Sequence, residues 1–129
     1  MIEFKFRITS HKKEWSKDKK YSFMEYEGEF KILIDSKIYF EDEYFLIKEF
    51  LRDAISWARN CDKEKNMNYI CIETEDNPLI SFENQQTNWK INSPWQKFQC
   101  DSCFARQELE KAIYELETDV ECQVECYKS

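Results

Sequence analysis

The hydrophobic period of this chain changes along its length, and that change limits the possible folds more than any single motif. Ile2, Phe4, Phe6 and Ile8 alternate with Glu3, Lys5 and Arg7, the period of two expected of a half-buried strand. Ile47, Phe50, Leu51, Ala54, Trp57 and Ala58 fall instead at helical spacing, which predicts an amphipathic helix from Asp42 to Arg59. Asp42 and Glu43 suit the positive end of such a helix, and Asn60 is an acceptable stop. Leu109, Ile113, Leu116, Val120, Val124 and Tyr127 repeat the helical spacing and predict a second helix. Its start is a hydrophobic staple of Phe104 and Leu109 if Ala105 is the cap, with Ser102 competing for that role. Beyond residue 121 two readings stand, because Val120, Cys122, Val124 and Cys126 also alternate with Glu121, Gln123 and Glu125.

Between these anchors the strands come in adjacent runs. A polar loop from Ser10 to Lys20, interrupted by Trp15, leads to a second strand at Tyr21–Tyr26. Gly28, the only glycine, reads as the break after it. Phe30–Ile34 and Lys37–Phe40 flank Asp35-Ser36 as a hairpin. After a charged loop at Cys61–Asn68, Tyr69–Glu73 and Leu79–Glu83 flank a turn that contains Pro78. Trp89 and Ile91 suggest one more strand, which Ser93-Pro94 ends. The predicted order is β-β-β-β-α-β-β-β-α. It describes a single α+β domain over residues 1–129, a mainly antiparallel sheet of six to seven strands with two helices on one face.

Ten Phe, seven Tyr and four Trp supply the core for such a domain and argue against disorder despite 35% charged residues. No stretch approaches the length of a membrane span, and the alternating start is unlike a secretion signal, so the expected location is the cytoplasm. The six cysteines are then expected as thiols. Net charge is −7. Residues 1–20 carry seven Lys/Arg against three Asp/Glu, while the remainder carries twelve against twenty-three. So acidic a body repels phosphate backbones and argues against nucleic acid as the partner. The basic segment from Lys12-Lys13 to Lys19-Lys20 reads as a solvated loop.

Few constellations carry chemistry. Cys100-x2-Cys103 and Cys122-x3-Cys126 have nearly zinc-ribbon spacing, and a metal or thiol role for Cys100, Cys103, Cys122 and Cys126 is one alternative. Geometry opposes it, because a helix over 104–121 would hold the pairs about 27 Å apart, whereas zinc ligands share one ion at about 2.3 Å. His11, the only histidine, lies among like-charged neighbours and reads as solvent-exposed. One glycine leaves no phosphate cradle. Among 26 acids some close pair is inevitable, so a small hydrolase stays open as a second alternative without naming catalytic residues. No cofactor is expected. Glu73-x-Glu75-Asp76 gathers three carboxylates at a turn, as does Glu41-Asp42-Glu43. Trp15, Trp89 and Trp95 lie beside polar stretches, where an exposed tryptophan can anchor a protein interface.

Glu73-Thr74-Glu75-Asp76-Asn77-Pro78-Leu79-Ile80-Ser81-Phe82 resembles a pattern in small uncharacterised proteins of low-GC Gram-positive bacteria. Ser93-Pro94-Trp95-Gln96-x-Phe98, Glu14-Trp15-Ser16 and Tyr26-Glu27-Gly28-Glu29-Phe30 fit the same pattern. That resemblance brings no catalytic residues with it. Size, acidity and mixed architecture are also similar to bacterial toxin-immunity proteins, an analogy at the level of fold. The expectation is a non-enzymatic protein-binding domain, an immunity-type inhibitor whose partner is a basic toxin domain. Its face would comprise Glu73, Glu75 and Asp76, with Trp89 and Trp95 as anchors. A scaffold that dimerises through an open sheet edge is a further reading.

Overall fold

The computed structural model describes residues 1–128. Three strands come first: β1 (Ile2–His11), β2 (Tyr26–Ile34) and β3 (Lys37–Phe45). They form one antiparallel sheet in the order β1-β2-β3. Helix α1 (Ile47–Ala58) follows, then β4 (Met67–Tyr69), β5 (Ile80–Asn84) and β6 (Trp89–Asn92), which form a second antiparallel sheet. Helix α2 (Arg106–Lys128) closes the described chain. The architecture is α+β, with two helices and two three-stranded sheets where one larger sheet was expected.

The missing seventh strand has a local cause. Residues 21–25 form a 3-10 turn (Ser22–Met24) instead of a strand, and a second such turn spans Lys13–Trp15. The next strand then runs unbroken from Tyr26 to Ile34, through Gly28. Gly28 is therefore no break. It lies where β1 crosses so closely that a Cβ would stand 2.0 Å from the Arg7 carbonyl oxygen. Asp35 and Ser36 make the expected hairpin with positive φ at both positions, the twist that joins paired strands most easily.

The first helix also starts later than its acids suggested. Asp42 and Glu43 belong to β3, whose ladder reaches Phe45 opposite Gly28. Helix α1 begins at Ile47, and the acid of its first turn is Glu49. At the other end the open question about the tail resolves as helix through residue 128. Phe104 and Leu109 are both buried at its start.

One buried cluster takes residues from both sheets and both helices. Phe30 sits at its centre, stacked on Phe45 at 4.3 Å and within 6.1 Å of the rings of Phe4, Phe40 and Phe50. Phe4 of the first sheet stacks parallel to Phe82 of the second at 6.2 Å. Such rings add about 1 kcal/mol per pair beyond the area they bury. No helix among the described residues is long and apolar enough to cross a membrane.

Candidate functional site

Two loops at one end of the second sheet meet over β3. The first, residues 71–78, follows β4. Asn77 staples it: its side-chain oxygen accepts from the Cys71 N–H at 2.8 Å, and its amide donates to the carbonyls of Cys71 and Thr74. Glu49 of α1 holds the base. Its carboxylate accepts from the Tyr69 hydroxyl at 2.6 Å and from the Ile72 N–H at 3.3 Å. Glu49 is only 2% exposed, so these donors replace the water it lost. Burial pushes the Tyr69 hydroxyl and the Cys71 thiol up in pKa, which keeps both protonated beside that carboxylate.

The second loop, residues 93–97, is tied to β3 through Tyr39. The Tyr39 hydroxyl donates to Gln96 at 2.9 Å, and the Lys97 N–H donates to the Tyr39 carbonyl at 2.8 Å. Burial raises the Tyr39 hydroxyl to about 12. Ser93 Oγ accepts from the Trp95 N–H at 3.1 Å and fixes the turn.

Trp95 joins the two loops. Its indole N–H donates to Asp76 at 2.9 Å, and its ring lies nearly parallel to that of Phe40, 6.0 Å away. The indole is held on one face and one edge yet stays 37% exposed. Beside it is an open cleft of about 520 Å³ whose walls include Glu75, Asp76, Pro78, Ser93 and Pro94.

The five residues expected to form a binding face are thus divided. Asp76 and Glu75 line the cleft, and Trp95 stands at its edge through the hydrogen bond to Asp76. Glu73 does not line it. Partial burial and the carboxylates of Glu27, Asp42 and Glu49 raise the pKa of Glu73, with Lys12 opposing them. Trp89 is a core residue, 6% exposed, packed edge-on against Trp57 at 5.2 Å and facing the Arg106 guanidinium. It cannot serve as a surface anchor.

His11 is also elsewhere than expected. A bulge between Ile8 and Ser10 turns it onto Tyr26, where the two rings stack at 4.5 Å. Its Nε2 lies 2.6 Å from Glu25, and the side chains of His11 and Glu25 are 15% and 12% exposed. The pair has the partner and shelter that a general base needs, but it lines none of the clefts described. The four C-terminal cysteines stand apart. Cys100 and Cys103 precede α2, whereas Cys122 and Cys126 lie near its far end. Among the described residues no group of three or more His, Cys, Asp and Glu is placed to hold a metal ion.

The chain belongs to the family described as Domain of unknown function (DUF7878), whose model matches residues 4–126. No curated protein and no solved structure matches it.

Proposed function

We propose that this protein is a non-enzymatic protein-binding domain and that its binding face is the cleft beside Trp95. The observation that carries the reading is the Trp95 side chain, exposed yet already fixed by Asp76 and Phe40. An aromatic anchor held in one rotamer before binding loses little conformational entropy on binding, and such residues dominate interface energetics. Glu75 and Asp76 at its rim select a basic surface, and the net charge of −7 steers such a partner inward. The specific form of the proposal is immunity-type inhibition of a cationic toxin domain in the cytoplasm.

The reading is tested with a photo-crosslinking residue at Pro94, on the cleft wall, in cells that express the protein naturally. One partner with a basic surface is expected to crosslink, and Trp95→Ala should abolish the adduct while leaving the fold intact. Equal crosslinking by the Trp95→Ala protein would refute the assignment.

A further inference from the structure

The outer face of α2 carries two thiols one turn apart. Val120 and Val124 turn inward and are buried, and Gln123 reaches β1. Cys122 and Cys126 fall on the opposite side of the helix, and both are exposed. A separation of four residues on a helix sets their Cβ atoms about 5–6 Å apart. Helical side chains lean toward the N-terminus, so the Cys126 sulfur is carried back toward Cys122. The helix continues past both residues, to Lys128, so its hydrogen bonds fix the spacing before any ligand arrives.

That spacing suits one kind of metal ion. Two metal–thiolate bonds of about 2.3 Å laid end to end span about 4.6 Å, which a rotamer choice at each cysteine brings within reach. A structural zinc site needs four ligands, and among the described residues no group of three or more His, Cys, Asp and Glu is placed to supply them. Asp119, one turn before Cys122, accepts instead from the Gln123 amide at 2.9 Å. Copper(I) is soft, is selected by thiolates and is satisfied by two ligands in line. We propose that Cys122 and Cys126 form a two-coordinate site for a soft monovalent cation, copper(I).

Binding breaks both S–H bonds, forms two copper–sulfur bonds and releases two protons, with no change of oxidation state. Capture therefore strengthens as pH rises. Glu121 and Glu125 flank the pair in sequence and add negative charge for an incoming cation. The remaining cysteines offer no equivalent. Cys71 and Cys100 are buried, and neither Cys61 nor Cys103 lies on a helix with a second thiol one turn away. The site shares no residue with the cleft beside Trp95, so it stands or falls independently of that face.

Anaerobic competition for copper(I) held by bathocuproine disulfonate, read from the colour of the chelate, tests the proposal on the intact, reduced protein. The wild-type chain is expected to withdraw one copper ion. Cys122→Ser or Cys126→Ser should weaken capture about hundredfold or more, the gain that joining two weak sites supplies. Cys103→Ser should leave it unchanged. Cys122→Ser combined with Glu121→Cys keeps the number of thiols but turns one of them about 100° around the helix. That protein should bind as weakly as the single variants. Residues 103, 121, 122 and 126 are all exposed, so the fold should survive each change. A wild-type protein that withdraws no copper, undiminished capture by Cys122→Ser or Cys126→Ser, or full capture by the rearranged pair would each overturn the site.

Discussion

A methyl group at position 28 would meet the Arg7 carbonyl oxygen at 2.0 Å and Ile8 Cα at 3.0 Å, both backbone atoms that cannot turn aside. Gly28→Ala is therefore expected to cost about 3 kcal/mol, measurable as a lower urea midpoint with an unchanged slope. Tyr39 gives a pH dependence. Its folded-state pKa of about 12 lies above the ordinary value of 10. Between those values the unfolded chain has released a proton that the folded chain keeps, so stability falls as pH rises. Tyr26 and Tyr69 shift in the same direction and add to the loss. Urea titrations from pH 9 to 12 should show this decline, and Tyr39→Phe should flatten it. Single residues were where the sequence was least legible. A one-residue bulge decides that His11 packs on Tyr26, and nothing in the alternation of Ile2 to Ile8 announces a bulge. Glu49 looks like any acid in the first turn of a helix, and only its pairing with Tyr69, twenty positions on, explains its burial.

The secondary elements were more legible, because burial on one face writes its period into the chain. The alternation at Ile2–Ile8 became β1, and the helical spacing at both ends of the chain became α1 and α2. Boundaries shifted where a tertiary contact overrode local preference. Asp42 and Glu43 lie in β3 because the ladder to β2 continues to Phe45. The continuous α2 holds Cys122 and Cys126 far along the helix from Cys100 and Cys103, which precede it. Cys61, Cys103, Cys122 and Cys126 are exposed, while Cys71 and Cys100 are buried. In the folded protein a thiol reagent should modify the first four rapidly and the last two only on unfolding, as mass spectrometry of the adducts would resolve. Helix α2 also holds the edge of β1. Gln123→Ala removes two hydrogen bonds to that strand and should cost about 2 kcal/mol. Hydrogen exchange at the Ile8 amide should accelerate in this variant, with the amides of β2 little changed.

On the scale of the whole molecule, two small sheets share one aromatic core, and the candidate site lies where loops of the second sheet reach β3 of the first. The sequence contained the parts of this site without the distances between them. Asp76 and Trp95 are nineteen positions apart and meet only because two antiparallel turns bring their loops side by side. The same limit misassigned Trp89, since a tryptophan beside polar residues reads alike whether its strand faces inward or outward. The acidic balance of the chain was plain from composition, and it bears on how fast a partner arrives more than on which partner it is. The central claim concerns Trp95 as a prepared anchor, and affinity for the crosslinked partner tests it most directly. Calorimetric titration of that partner into wild-type, Trp95→Ala and Lys17→Ala proteins should show binding weakened about thirtyfold or more for Trp95→Ala, the loss typical of an anchor residue. Affinity should be unchanged for Lys17→Ala. Equal affinity of the wild-type and Trp95→Ala proteins would contradict the assignment of this face.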